Sequence, residues 1–160
     1  MPRKDRREEI VKEFYNTYKE DQRFLKPHRR VEFLTTTKYI EKYAPKGANI
    51  LELGAGTGAY SIYLAKKGYK VDAVDFSEHN LEILNKVSEK TKNLTVRQGD
   101  AVELGIYTEG LFDVTLSLGP MYHVFKEKDI KNAIKEAVRV TKPGGIIIFS
   151  YLTNDSAFAR

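Results

Sequence analysis

Apolar residues follow a helical period in the first part of the chain. They recur every four positions between residues 10 and 18, which is the spacing of one helix face. A second helix is predicted at about residues 30–43, ending before Pro45, because a proline disfavours helix in the residue before it. The polar stretch 21–30 is predicted to connect the two helices. The pattern therefore predicts a helical cap at the amino terminus, over residues 1–45.

From residue 46 onward, short apolar runs alternate with helical patterns. The predicted strands are residues 48–53, 69–75, 93–98, 112–118 and 146–152. The predicted helices are residues 59–67, 78–90 and 127–140, with Ser77 as an N-cap and a turn at residues 141–145. Alternating strands and helices indicate βαβ units and a parallel sheet. The expected fold class is α/β, a doubly wound, mainly parallel, Rossmann-like sheet with five strands in residues 46–160.

Ligands on such sheets bind beyond the carboxyl ends of the strands, so the residues there are the candidate site. The first predicted strand ends in Glu52-Leu53-Gly54-Ala55-Gly56-Thr57-Gly58. Glycines allow a sharp turn and close approach of a ligand to the backbone. With Ala59 the same residues also satisfy G-x-G-x-x-A, so a dinucleotide-binding loop remains an alternative.

Two carboxylates follow the next two predicted strands. Asp75 closes the second strand, where its carboxylate can accept hydrogen bonds from both ribose hydroxyls of a nucleoside. Nicotinamide enzymes use the same position, so this residue alone does not separate the two classes. Asp100, followed by Ala101, can accept a hydrogen bond from an adenine amine, and it can also cap a short turn.

Charge and composition narrow the class of protein. The chain has no cysteine, so it has neither disulfides nor thiolate chemistry. Its start is charged and lacks the apolar core of a signal peptide, which predicts a cytoplasmic protein. Residues 1–30 carry most of the net charge of +5. A basic segment can bind nucleic acid, but interspersed acidic residues are more typical of a solvated helix face.

The motifs taken together resemble class I S-adenosylmethionine-dependent methyltransferases. The resemblance rests on NILELGAGTGAYSIYLAKKGYKVDAVDFSEHNLEIL, GDA, LFDVTLSLGPMYHV and EAVRVTKPGGIIIFSY, in this order, over residues 48–152. Bacterial proteins of this family with an L-G-P-x-Y-H loop are the most similar. Glu52, two residues before the first glycine, is typical of methyltransferases and unusual in nicotinamide enzymes.

The resemblance implies S-adenosylmethionine as the methyl donor and assigns residues to it. Glu52 would lie near the methionine amino group, Asp75 would hold the ribose and Phe76 would pack on the adenine. Asp100 and Ala101 would fix the adenine edge. The remaining implied donor contacts are Gly54, Ala55, Gly56, Gly58 and Leu118, and, from helices that cover the site in such proteins, Tyr15, Tyr18, Arg29 and Arg30.

The reaction expected from the resemblance is methyl transfer to a small-molecule acceptor. His123 is the candidate general base, and Tyr122 is a candidate substrate contact. The three histidines lack the spacing of a metal site, so no metal is expected. Three alternatives remain open: a nucleic-acid or protein methyltransferase with a basic docking arm, a donor-binding module without catalysis, and a nicotinamide-dependent oxidoreductase.

The chain departs from the family in its length. The family's sheet has seven strands, and here no sequence remains for the last two after residue 152. The fifth strand is therefore expected at an open sheet edge, and such an edge can pair with another chain. This predicts association of two copies through the fifth strand. A membrane partner is not expected.

Overall fold

The computed structural model describes residues 27–119 and 126–151, with backbone only at residues 27–29. The helix predicted at residues 10–18 lies outside this range. The helices are α1 (Pro27–Tyr43), α2 (Ala59–Lys66), α3 (Glu78–Ser88) and α4 (Glu127–Val140). The strands are β1 (Asn49–Leu53), β2 (Lys70–Asp75), β3 (Leu94–Gln98), β4 (Phe112–Ser117) and β5 (Thr141–Phe149).

The five strands form one parallel sheet in the order β3-β2-β1-β4-β5. Leu53 at the end of β1 pairs with Val74 of β2 and with Ser117 of β4. The direction in which the chain adds strands reverses between β1 and β4, and a crevice for ligands opens at such a point. The predicted α/β class with a doubly wound parallel sheet is confirmed.

Apolar residues cover both faces of the sheet, because alternate residues of a strand point to opposite faces. Helices α1 and α2 pack on one face, where Ile40 and Leu64 join Ile50 and Leu116 in a buried cluster. On the other face, α4 and the segment after β3 bury the side chains of Leu51, Leu53, Val74, Leu104 and Val140. None of the helices in the described ranges combines the length and apolar character needed to cross a bilayer.

Helix α1 includes residues that the sequence analysis placed in a connection. The predicted connection over residues 21–30 is wrong from Pro27 onward, since residues 27–30 are helical. Arg30 is exposed, and a polar run does not distinguish a solvated helical turn from a loop. The described part of the predicted cap packs on the sheet through Phe33 and Ile40. The boundary at residue 45 stays a prediction.

The turn predicted at residues 141–145 is also corrected. Strand β5 begins at Thr141, immediately after α4, and Thr141 pairs with Phe112. The next pair joins Val114 and Ile146, so residues 142–145 stand opposite Asp113 alone and bulge from the sheet. Gly144 does adopt the left-handed conformation that the predicted turn requires, with φ 77°. However, this irregular segment is a bulge inside β5 and not a turn that precedes the strand.

Candidate functional site

The predicted site residues of the sheet domain gather at one end of the sheet. The strands β3, β2, β1 and β4 lie side by side and are parallel, so their carboxyl ends lie together at one end of the sheet, which is called the carboxyl edge below. The glycine segment follows β1, Phe76 follows β2, and Leu118 follows β4. The structure thus brings Glu52, residues 54–58, Asp75, Phe76, residues 100–101 and Leu118 to this edge.

The glycine segment after β1 bends in a way that other residues rarely adopt. Gly54 and Gly56 have φ values of 67° and 59°, in the left-handed region. The N–H of Ala55, which is buried, donates to the carbonyl of Val74 at 3.0 Å and ties the segment to β2. Gly58, at φ 87°, lies against Leu84 of α3 and leads directly into α2. The segment is therefore held between two elements of the fold.

Asp75 is the centre of the hydrogen bonding at this edge. Its side chain is only 5% exposed. One carboxylate oxygen, Oδ2, accepts from the N–H of Gly56 at 2.7 Å. The other, Oδ1, accepts from the N–H of Ser77 at 2.8 Å and from Nδ2 of Asn80 at 3.2 Å. The predicted ribose-binding carboxylate is therefore fixed to the glycine segment and to the first turn of α3.

Glu52 is a second buried carboxylate, 2% exposed, next to the end of β1. Its Oε2 accepts a hydrogen bond from the hydroxyl of Ser61, a fully buried residue of α2. Glu52 points to the face covered by α1 and α2, since it shares strand parity with Ile50. A buried carboxylate is costly unless it is hydrogen-bonded, and Ser61 meets part of that requirement.

Asp100 and Ala101 lie beside Asp75, because the N–H of Gly99 donates to the carbonyl of Asp75 at 3.1 Å. The carboxylate of Asp100 accepts the N–H of Val102 at 3.1 Å, which is the turn-capping role considered for it from sequence. The side chain of Ala101 is buried in the core cluster with Leu53 and Val74. Any contact of Ala101 with a ligand would therefore come from its backbone.

The segment after Asp100 is braced by an ion pair on α4. Glu136 accepts the N–H of Leu104 at 2.6 Å, and Arg139 donates to the carbonyls of Leu104 and Tyr107, both at 2.9 Å. Arg139 also binds Glu136 through two nitrogens, at 2.7 and 2.8 Å. This hydrogen bonding from Arg139 lowers the pKa of Glu136 below its ordinary value. The brace fixes the loop that carries Asp100.

The fourth predicted element, the loop after β4, is described only at its start. Leu118 is buried with the cluster under α1 and α2, and its carbonyl accepts from the hydroxyl of Ser150 at 2.5 Å. Tyr122 and His123 lie outside the described residues, so their placement as substrate contact and general base stays a prediction.

The predicted contacts from the amino-terminal cap are only partly described. Phe33 of α1 stacks on Tyr60, in the first turn of α2, with ring centroids 5.0 Å apart. This contact places the start of α1, with the exposed Arg30, at the same end of the sheet as the glycine segment. Tyr15, Tyr18 and the side chain of Arg29 lie outside the described residues. Donor contacts by all four stay predictions.

Two polar residues of this edge were missed by the sequence analysis. Ser61 and Asn80 are both buried, and each donates to one of the two buried carboxylates. A signal was available for each, because a polar residue on the buried side of a short helix needs a hydrogen-bond partner. By contrast Ser77, predicted as an N-cap, is confirmed, since its hydroxyl accepts the N–H of Asn80 at 3.4 Å.

The arrangement favours a ligand with hydroxyl groups and positive charge. Two buried carboxyl groups lie beside the glycine bend, and their oxygens can accept hydrogen bonds from hydroxyl and ammonium groups. Fold and geometry together define a doubly wound α/β domain with a candidate polar ligand site at the carboxyl ends of its central strands.

Comparison with known proteins identifies the family. Residues 50–145, more than half of the chain, match the family model described as a methyltransferase domain. The chain belongs to the class I S-adenosylmethionine-dependent methyltransferase family, and the predicted membership of that family is confirmed. The similarity to bacterial proteins with an L-G-P-x-Y-H loop stays a prediction.

Individual relatives agree with this assignment. YqeM of Bacillus subtilis, which carries a methyltransferase name, is 33% identical over 114 residues, covering 71% of this chain and 46% of that protein. Demethylmenaquinone methyltransferase of Staphylococcus aureus is 33% identical over 106 residues, covering 64% of this chain and 42% of that protein. An S-adenosylmethionine-dependent methyltransferase structure from Methanosarcina mazei is 26% identical with a TM-score of 0.63, covering 68% and 55% of the two chains. The chain spans less than half the length of the curated relatives it matches.

Proposed function

We propose that this chain binds S-adenosylmethionine at the carboxyl edge of its sheet and transfers the methyl group to a small-molecule acceptor. The observation that carries the proposal is the pair of buried carboxylates, Glu52 and Asp75, on either side of the glycine bend. S-adenosylmethionine has a sulfonium, an amino group and two ribose hydroxyls, and all of these interact favourably with carboxylates.

Of these two carboxylates, Glu52 argues against a nicotinamide dinucleotide, whereas Asp75 is compatible with either class of ligand. A dinucleotide places its anionic pyrophosphate at the glycine segment and the helix that follows. Here the N–H of Gly56 already donates to Asp75, and Glu52 lies buried just before the bend. An anionic phosphate placed here would lie close to the Glu52 carboxyl group, whereas an ammonium group would be attracted by it.

Each site residue then has a physical task. Glu52 would bind the methionine amino group directly or through water, and Asp75 would accept the ribose hydroxyls. Phe76, which is half-buried after β2, would pack on the adenine. Asp100 and the backbone of Ala101 would hold the adenine edge, and Leu118 would border the sulfonium from β4. The bend at residues 54–58 would let the donor contact the backbone.

The bound donor supplies an activated methyl group, so the protein mainly has to align the reacting groups. Such alignment can lower a barrier by about 7–11 kcal/mol in well-oriented systems. The braced loop after β3 and the fixed Asp75 are suited to this, because neither has to be ordered when the ligand binds. A general base, for which we propose His123, is needed only if the acceptor must lose a proton.

A small-molecule acceptor is supported by a relative. The Staphylococcus aureus protein is named for methylating demethylmenaquinone, which is a small molecule, and it matches 64% of this chain. A cytoplasmic location stays a prediction from sequence.

Calorimetry with S-adenosylmethionine, its demethylated product and NAD tests the donor site. Binding of the first two without NAD is expected. Asp75→Asn should weaken donor binding by about 1.5–3 kcal/mol, the range for hydrogen bonds to charged groups, which is about tenfold to more than a hundredfold in dissociation constant. Asp72→Asn is a matched control, because Asp72 lies on the same strand three residues before Asp75 and binds Arg97 rather than the glycine segment. Its donor affinity should remain at the wild-type value. Two results would contradict the proposal: equal donor affinities of the wild type and Asp75→Asn, or binding of NAD without binding of S-adenosylmethionine and its product.

Transfer is tested separately, with donor labelled at the methyl group and a panel of quinones, amines and phenols. Product from any of these supports an enzyme acting on small molecules. Donor binding without transfer to any acceptor, including RNA and protein, would instead indicate a donor-binding module.

A further inference from the structure

We propose that Asn80 is a positioning residue that sets the orientation of the Asp75 carboxylate toward the ribose of the donor. The inference rests on the proposed function, and it adds a residue for which the sequence resemblance implies no role. Asn80 does not have to touch the donor; it acts through Asp75.

The geometry around the carboxylate motivates this role. The Nδ2 group of Asn80 lies 3.2 Å from Oδ1 of Asp75, and the N–H of Ser77 lies 2.8 Å from the same oxygen. The N–H of Gly56 lies 2.7 Å from the other oxygen. A carboxylate is planar, so donors on both oxygens fix its rotation. Among these three donors, Asn80 supplies the side-chain group, so substitution can remove it without altering the backbone.

Packing alone does not explain an asparagine at this position. Asn80 is 1% exposed in the first turn of α3, and burying an amide is unfavourable unless it is hydrogen-bonded. Leu81 and Leu84 supply the buried apolar surface of the same helix. An apolar side chain at position 80 would fill the space at lower cost, so the amide is best explained by the hydrogen bond to Asp75.

Two ligands separate a positioning role from a general effect on the fold. S-adenosylhomocysteine has both ribose hydroxyls, and its 2′,3′-dideoxy analogue lacks them. The wild-type protein should prefer the first, and Asn80→Leu should lower the affinity for it by about tenfold, as expected for one hydrogen bond to a charged group. The affinity for the dideoxy analogue should change by less than about twofold, because this analogue has no ribose hydroxyl to donate a hydrogen bond to the Asp75 carboxylate.

Asn85→Leu is the matched control. Asn85 lies on the same helix and is exposed, so the substitution has the same chemistry away from Asp75. Both affinities should remain at their wild-type values. Thermal unfolding of each variant shows whether the protein is folded.

A second variant keeps the size of the side chain. In Asn80→Asp the new carboxyl group donates to Asp75 only while it is protonated, and the adjacent negative charge favours that form. The affinity of Asn80→Asp for S-adenosylhomocysteine should therefore rise as the pH falls from about 8 to about 5.5, towards the wild-type value. Wild type and Asn85→Asp, measured in parallel, should show no such recovery.

The outcomes distinguish this inference from the proposed function. If the wild-type protein binds no S-adenosylhomocysteine, the donor site itself is wrong. If wild type binds and prefers the hydroxylated ligand, but Asn80→Leu keeps that preference unchanged, Asn80 does not position the carboxylate. Equal losses for both ligands would also overturn the inference, since they would indicate a purely structural role. If Asn80→Leu does not fold, a pH-independent affinity in Asn80→Asp overturns it.

Discussion

Gly58 offers a sharp test of how the glycine segment is packed. Its φ of 87° is unfavourable for any residue with a side chain, and a Cβ placed on it would overlap Cδ1 of Leu84 and lie 3.3 Å from Cδ1 of Ile62. Leu84 is completely buried, so it cannot move aside without disturbing the core. Gly58→Ala should therefore destabilise the protein through two separate effects.

The two effects can be estimated. Placing alanine in a left-handed conformation costs roughly 1 kcal/mol, and overpacking a well-filled core typically costs about 1–3 kcal/mol. Gly58→Ala is thus expected to lower the free energy of unfolding by about 2–4 kcal/mol. At roughly 3 °C per kcal/mol for a domain of this size, the melting temperature should fall by about 6–12 °C.

Gly68→Ala isolates the backbone effect. Gly68 has a similar φ of 93°, but a Cβ there would meet nothing within 4 Å. Its substitution should cost only the backbone effect of about 1 kcal/mol, a fall of roughly 3 °C. Urea unfolding and calorimetry of both variants give the comparison. If Gly58→Ala and Gly68→Ala are equally stable, the contact with Leu84 does not constrain the segment and the reasoning fails.

Three further predictions concern stability and assembly. The pKa of Glu136 is lowered by its ion pair with Arg139, so this pair stabilises the fold at a pH above the ordinary pKa of 4.5 and the contribution is lost as the pH falls below that value. In Glu136→Gln the free energy of unfolding should therefore depend less on pH in the acid range than in the wild type. An identical pH dependence in both proteins would contradict this. The Thr141 hydroxyl donates to the carbonyl of Ala137 at 2.6 Å and so accepts from the Thr115 hydroxyl at 2.7 Å. Thr141→Val leaves the Thr115 hydroxyl and the Ala137 carbonyl each with one partner fewer, so it should lower the free energy of unfolding in urea by about 1–3 kcal/mol, against about 1 kcal/mol for Thr115→Val. A larger loss in Thr115→Val would contradict this direction of hydrogen bonding. Among the strands of the described residues β5 lies at one side of the sheet, and an edge strand there predicts a concentration-dependent dimer in size-exclusion chromatography; a monomer at every concentration would contradict this.

The sequence predicted those features that depend on a local period or on the end of a strand. The positions of Glu52, Asp75 and Asp100 followed from which strands they close, because parallel strands end at a common edge. The limits of the other strands and helices were close to those predicted, but α1 begins at Pro27 and β5 at Thr141, both earlier than the local pattern indicated. The glycine bend was predictable because its conformation depends on residue type at the bend itself.

Features set by distant contacts could not be predicted. A polar residue on the buried side of α3 predicts that Asn80 has a hydrogen-bond partner, but that the partner is Asp75, five residues earlier, depends on how α3 packs against β2. Ala101 was assigned to ligand contact, but its side chain completes the core, because the loop after β3 folds back on Leu53. The bulge at residues 142–145 depends on pairing with β4, which local turn propensity does not reveal.

The hydrogen bond from Gly56 to Asp75 has a practical consequence for spectroscopy. An amide proton held 2.7 Å, nitrogen to oxygen, from a carboxylate is strongly polarised, so its resonance should stand apart from those of other glycines. In a uniformly nitrogen-15-labelled sample this single peak would report on the ionisation and orientation of the buried acid. Ligand titrations followed at that peak would show an event at the carboxylate itself, without a chromophore and without turnover.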